Sequence, residues 1–479
     1  MCQLNRSYTV PVVCALALLS YVIPGVSSAS GNSHKQLSTQ LNQLLKKLEP
    51  GKGKNAFRLP DSHQYRQIPQ DRNNRITAAK VRLGKLLFHE TAVGTEATAD
   101  DRVETYSCAT CHHAAAGFKA GIPQGIGDGG SGFANKGSKR RLAAGMNPDA
   151  ADNHPDKPDL QPVTSPAALN AAYQPVMLWD GSLGNGQEGI NRGAAKLNVV
   201  GPPGVMVNAF GLAGLESQVL AGTRVHRLRF DKNSILQTNK TYKRLYKKAF
   251  PNGYTGHIPG GSIVTPEALG AAKAIAAYER TILANKAPFQ RWIRGKRSAM
   301  TTAQLRGALL FFGEKGNCVS CHTGPALSSA PDAVADDMFF SVGFDDFDLN
   351  NSRIFGSVSD EVKRGRGNFT GNASDNFKFK VPQLYNLKDT KVFGHGASFS
   401  SIGAVIRYKN KAVPQKHTRN LAHNFVPLHL NQREIRDLTN FVSNALYDPR
   451  LKRYQPRRLP SGNCFPAGDF QSALDLRCW

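Results

Sequence analysis

Cys108-Ala109-Thr110-Cys111-His112 and Cys318-Val319-Ser320-Cys321-His322 are the two stretches on which this sequence of 479 residues turns. Each has the CxxCH spacing of a covalently attached haem, in which two thiols take the porphyrin vinyls and the adjacent histidine turns back beneath the ring to ligate iron. With 8 cysteines and 13 histidines in 479 residues, one such match arises by chance with odds of about 0.004 and two with odds of about 10⁻⁵. A thioredoxin-like CxxC gives no reason for the histidine twice, and a zinc site wants four ligands gathered in one place. Two covalent haems c are therefore expected, one on Cys108, Cys111 and His112 and one on Cys318, Cys321 and His322.

The flanking sequence repeats as well. Thr77 caps a predicted helix through Val81, Leu83, Leu86, Leu87 and Phe88 that leads to the first CxxCH. Thr301-Thr302-Ala303-Gln304 is a capping box, and its helix runs through Leu305, Leu309 and Phe312 to the second. Between them Thr265 and Pro266 start a helix expected to reach about Arg294 and to end at Gly295. A further capping box, Asn431 to Glu434, opens a helix with Ile435, Leu438, Phe441, Val442 and Leu446 inward. Few segments alternate with period two, so the expected fold is mainly α: two cytochrome c-like haem domains with long loops. The glycine-rich run Gly125 to Gly137, followed by Lys139-Arg140-Arg141, lacks the Gly-Lys-Ser/Thr ending of a phosphate loop and reads as a mobile or site-lining loop.

At the N-terminus, Arg6, an apolar run from Val10 to Ile23 and the small residues before Ser30 read as an export signal over 1–29. That run falls short of the roughly 20 residues a spanning helix needs, so no transmembrane helix is expected in the mature chain. The location is then periplasmic or otherwise exported. An N-terminal arm follows over 30–70, with Leu37, Leu41, Leu44, Leu45 and Leu48 at helical spacing. The haem domains are expected over 71–298, peroxidatic by the resemblance described below, and 299–450, with a tail over 451–479. Cys464 and Cys478 in that tail suit a disulfide worth about 3 kcal/mol for a loop of about 15 residues, against the alternative of two free thiols. Export makes nucleic acid a poor partner despite the formal charge of +26. That charge suits an acidic electron donor, an acidic protein substrate or anionic lipid, unless it is a basic surface with no particular partner.

Beyond the CxxCH motifs, several phrases occur in a telling order: Leu83 to Phe88 (LGKLLF), Ser165 to Tyr173 (SPAALNAAY), Leu178-Trp179-Asp180-Gly181, Phe379 to Asn386 (FKVPQLYN) and Gly394 to Phe399 (GHGASF). Over roughly residues 75–450 the chain resembles the bacterial di-haem cytochrome c peroxidase and MauG superfamily. The resemblance implies a peroxide-binding haem on His112 and an electron-entry haem on His322, with Trp179 as a relay between them unless it is an ordinary core tryptophan. It implies hydrogen peroxide as oxidant, and electrons from a small exported cytochrome c or cupredoxin. The alternatives are MauG-type oxidation of a residue on a partner protein and a plain electron-transfer cytochrome.

Departures from the superfamily's pattern carry further expectations. Many of the peroxidases place a second histidine about 16 residues beyond the first CxxCH, blocking the iron until the partner haem is reduced. No histidine lies between Ala114 and Asn153, and only His154 is near, after a long insertion, so the first haem is expected to be open. The superfamily's catalytic glutamate follows a phrase matched by Leu215-Glu216-Ser217-Gln218, where this chain reads Thr223 to Leu228 (TRVHRL). His226 is the expected replacement as acid and base, with Arg227 or Arg224 as charge stabiliser. The methionine ligand of the second haem falls on Lys409, with Tyr408 beside it, and no methionine follows Met338. An amine or phenolate there favours ferric iron, and a tyrosine would lean toward MauG-type chemistry. Thr164, Thr390 and Val392 fall where the superfamily holds calcium between its domains, with threonine in place of its asparagine at 164.

Overall fold

In the computed structural model, residues 27–478 are described apart from 153, 185–209, 255, 257, 259–263, 331–332, 334–336, 348–353 and 357, and they form helices and long loops. The export signal expected over 1–29 lies outside them except for its last three residues, which open α1 (Ser27–Leu48). Leu41 and Leu45 of α1 are fully buried. The N-terminal half continues with α2 (Ala78–His89), α3 (Cys108–Cys111), α4 (Gly214–Val225), α5 (Ile235–Thr238), α6 (Lys240–Ala249), α7 (Pro266–Arg280) and α8 (Pro288–Ile293). The C-terminal half holds α9 (Thr302–Phe312), α10 (Asp360–Lys363), α11 (Arg366–Thr370), α12 (Ile402–Lys411), α13 (Gln432–Asn440) and α14 (Phe470–Leu476). The strands among the described residues are two-residue antiparallel pairs: β1 (Gly130–Ser131) with β2 (Arg141–Leu142), and β3 (Phe339–Phe340) with β4 (Phe379–Lys380). No described helix is long and apolar enough to cross a membrane.

One packing device occurs twice. Thr77 accepts from Lys80 N to start α2, which packs on α7. At their contact a Cβ on Gly84 would fall on the Ala274 carbonyl oxygen, so glycine sets the approach. The Thr301–Gln304 capping box starts α9, which packs on α13, and a Cβ on Gly307 would likewise fall on the Asp437 carbonyl oxygen. Each CxxCH thus follows a helix seated by glycine against a later helix of its own half.

The helix expected from Pro266 to about Arg294 is two helices. A residue before proline avoids the helical region, and Ala287 precedes Pro288 at φ −60°, ψ 149°. Side chains satisfy the amides between: Leu283 N donates to the Tyr454 hydroxyl at 3.1 Å, Ala284 N to Asn170 Oδ1 at 3.0 Å and Lys286 N to Asp448 Oδ2 at 3.0 Å. The Asn431–Glu434 capping box starts α13, and a π turn over Phe441–Ala445 extends it, keeping Ile435, Leu438, Phe441, Val442 and Leu446 buried.

The tail returns to the first half of the chain. Cys464 and Cys478 are joined as a disulfide. Gly468 N donates to Thr105 O at 2.7 Å, and the Thr110 hydroxyl donates to Pro466 O at 2.6 Å. Asp469 accepts from Gly132 N at 2.9 Å and pairs with Arg140 at 3.1 Å, while Asp475 accepts from Phe133 N at 2.9 Å. Arg140 also donates to Ile126 O at 2.6 Å and Gly127 O at 2.7 Å. The glycine-rich run is therefore an anchored, site-lining loop.

Candidate active site

Two cavities flank Trp179. One, of about 370 Å³, is lined by Cys108, Cys111 and His112 together with Gly127, Asp159, Gln218, His226 and Glu279. The other, of about 290 Å³, is lined by Cys318, Cys321 and His322 together with Lys119, Lys380, His395, Lys409 and His417. Pro166, Leu178, Trp179 and Phe379 line both. The indole is fixed, because Trp179 Nε1 donates to Thr164 O at 2.7 Å and Lys380 N donates to Trp179 O at 2.7 Å.

Each cavity has what a c-type haem needs on its wall. Burial pushes His112 and His322 down to about 4, so at neutral pH both imidazoles keep a lone pair for a metal. His322 Nδ1 donates to Leu327 O at 3.1 Å, which leaves Nε2 as the ligating nitrogen. Burial pushes Cys108, Cys111 and Cys318 up to about 12, the range of thiols rather than thiolates. Among the described residues no group of three or more His, Cys, Asp or Glu side chains is arranged to hold a metal ion.

His226 caps the C-terminus of α4 and is half-buried over the first cavity. Its Nδ1 lies 3.0 Å from both carboxylate oxygens of Asp159, leaving Nε2 as the ring nitrogen available to a ligand. Burial disfavours the imidazolium, but the charge and hydrogen bond of Asp159 outweigh it and hold His226 above the ordinary histidine range. Gly127 makes room for that carboxylate, since a Cβ there would fall on Asp159 Oδ2. Glu279 of α7 lines the same cavity, is pushed up to about 8 by burial, and has Oε2 without a hydrogen-bond partner.

Arg227 does not join this group. Its backbone is left-handed, at φ 54°, and its guanidinium pairs with buried Asp128 and donates to Lys157 O at 3.0 Å. Arg224 is exposed, and neither arginine lines the cavity. His154 is also exposed, with Nδ1 accepting from Asp156 N at 3.1 Å. His226 and His112 are the histidines among the described residues that line the first cavity.

In the second cavity, α12 presents Lys409 and turns Tyr408 away. Adjacent helical residues point about 100° apart, so one of the two faces the cavity. The Tyr408 hydroxyl donates to Val342 O at 2.5 Å among Phe344, Phe399 and Phe425. Burial pushes Lys409 down to about 8, which makes its lone pair accessible near neutral pH. Asp346 bridges two cavity histidines, lying 3.1 Å from His395 Nε2 and 2.9 Å from His417 Nε2.

The oxygens expected to hold calcium are engaged otherwise. The Thr164 hydroxyl donates to Gly394 O at 3.0 Å, and the Thr390 hydroxyl accepts from Val392 N at 3.1 Å. Val392 O accepts from Lys119 Nζ at 3.2 Å.

Residues 78–298 match the family profile described as Di-haem cytochrome c peroxidase. Over those residues the chain is similar to that family. It is 24% identical over 438 residues to Methylamine utilization protein MauG of Methylorubrum extorquens, covering 91% of this chain and 93% of that one. It is 25% identical over 419 residues to Cytochrome-c peroxidase IdrP1 of Denitromonas iodatirespirans, covering 81% and 89%. The crystal structure of a MauG-like protein associated with microbial copper homeostasis shares the fold, with a TM-score of 0.53, 19% identity and coverage of 82% and 95%.

Against the superfamily's pattern, the structure adds residues that no motif announces. Asp159 lies 67 positions before His226 in a proline-rich loop. His417 and Asp346 come from separate loops, and Lys119 is an isolated residue seven positions beyond His112. His226 itself is marked by its position after Leu215–Gln218, where the superfamily's catalytic glutamate is expected.

Proposed function

We propose that this chain reduces hydrogen peroxide to water in the His112 cavity, with electrons from a small redox protein entering through the His322 cavity. The observation that carries this reading is the Asp159–His226 pair over the cavity that His112 lines. Cys108, Cys111 and His112 would hold one haem and Cys318, Cys321 and His322 the other, supplying the iron that accepts and donates electrons when bound.

His226 Nε2 takes the proton of bound peroxide and returns it to the departing oxygen, as general acid–base catalysis requires. Asp159 fixes the tautomer and the ring orientation. With two electrons and two further protons, both peroxide oxygens leave as water. Trp179, on the wall of both cavities, shortens the path between them. Lys409 would help His322 hold the second haem, since both line that cavity, with Tyr408 a bystander. An exported, periplasmic setting and a small cytochrome c or cupredoxin as donor agree with the N-terminal signal and with the formal charge of +26. The test is steady-state oxidation of a reduced small cytochrome by the di-haem protein with peroxide, wild type beside His226→Ala. Fast peroxide-dependent oxidation that His226→Ala suppresses supports the reading, and slow oxidation unaffected by His226→Ala rejects it.

A second reading, peroxide-driven oxidation of a partner protein, is favoured by similarity along 91% of the chain to a MauG protein. It predicts a long-lived oxidised state with poor donor turnover.

A further inference from the structure

We propose that the ammonium group of Lys119 is the cation that ties the two haem-bearing halves together, at the place where calcium was expected, so that the protein is calcium-independent. The inference stands apart from the assignment of peroxide reduction, because it concerns the seam between the halves and is read without turnover.

The seam is built from backbone. Thr164 N donates to His395 O at 3.0 Å, and the Thr164 hydroxyl donates to Gly394 O at 3.0 Å. Thr164 O is taken by the Trp179 indole at 2.7 Å. The loop after His112 reaches the same segment: a Cβ on Gly117 would stand 3.1 Å from Asn386 O, so the two backbones nearly touch there. Gly117 and Phe118 are both left-handed, at φ 68° and 60°. The turn they make delivers Lys119 to Val392 O at 3.2 Å, while Lys136 of the same half pairs with Asp389 at 3.2 Å.

A calcium ion bound to Val392 O would lie at about 2.3–2.6 Å from that oxygen and would take six to eight oxygen ligands in all. The Lys119 ammonium already approaches the same oxygen, and the two positive groups would share one acceptor with like charges in contact. The expected ligand set is poor as well. Threonine replaces the superfamily's asparagine at 164, and its hydroxyl is spent as a donor to Gly394 O. A lysine covalently part of the chain needs no ion from solution. It carries one charge where calcium carries two, and it directs a hydrogen bond to the Val392 carbonyl of the facing half.

The experiment uses the di-haem protein stripped with EGTA. Calcium titration followed by calorimetry, and thermal unfolding with and without added calcium chloride, are expected to show no binding heat and no change in Tm. Lys119→Met keeps the stem and removes the charge, and is expected to lower Tm by about 2–4 °C in either buffer, while Lys119→Arg retains most of the wild-type value. Saturable calcium binding to the wild type, or a calcium-dependent rise in its Tm, overturns the proposal whether or not the variants fold. So does a Lys119→Met protein as stable as wild type.

Discussion

Asp159 and His226 meet across 67 residues of sequence, and their contact holds His226 above the ordinary histidine range in the cavity that His112 lines. His226→Ala is expected to lower kcat/KM for peroxide by about 10²–10⁴-fold with haem content unchanged, measured by steady-state kinetics and the haem absorbance ratio. Because Asp159 raises His226 above the ordinary range, the neutral imidazole needed to take a proton is lost as pH falls through that raised value. Asp159→Asn should therefore move the acidic limb of the kcat/KM profile to lower pH while reducing its plateau. The second ligand tests separately. Lys409→Ala should open the second haem, giving a new high-spin signal in electron paramagnetic resonance, and Tyr408→Phe should leave the spectrum unchanged. At this scale the attachment motifs were open to reading because their chemistry is local in sequence. The choice between Lys409 and Tyr408 was not, since it depends on the rotation of α12, and Asp159 was not, since it arrives from a distant loop.

The helices that lead into each CxxCH were readable from their caps. Thr77, Thr301 and Asn431 all accept from amides two or three residues on, as side-chain oxygens at those positions should. What the caps did not reveal is the seating of those helices. Gly84 and Gly307 look like ordinary helix-weakening glycines in sequence, but each faces a carbonyl of the crossing helix. Gly84→Ala and Gly307→Ala are expected to destabilise by about 1–3 kcal/mol each through overpacking, despite alanine's better helix propensity, by denaturant unfolding. The single helix expected over Pro266 to about Arg294 failed for a related reason. Pro288 forbids continuity, and the amides it frees are satisfied by Tyr454, Asn170 and Asp448, which lie far off in sequence.

Across the whole molecule, the tail and the seam hold the two haem-bearing halves in one arrangement. Residues 466–475 lie on the first CxxCH segment and the glycine-rich loop, and the Cys464–Cys478 disulfide closes that tail. Replacing both cysteines by serine should cost about 3 kcal/mol by thermal unfolding, on the chain-entropy estimate for a loop of about 15 residues. The duplicated motif made two haem domains readable from sequence, whereas the return of the tail to the opposite half had no sequence signal, because its contacts join carboxylates and backbone groups more than 300 residues apart. Trp179 stands on the wall of both cavities and so joins them in one arrangement. The most direct measurement mixes the di-haem protein with a limiting amount of hydrogen peroxide and excess reduced small cytochrome c, and follows the donor's oxidation in a stopped-flow spectrometer. The account predicts rapid oxidation of two donor molecules per peroxide. A persistent oxidised form of the protein, with the donor left reduced, would contradict it.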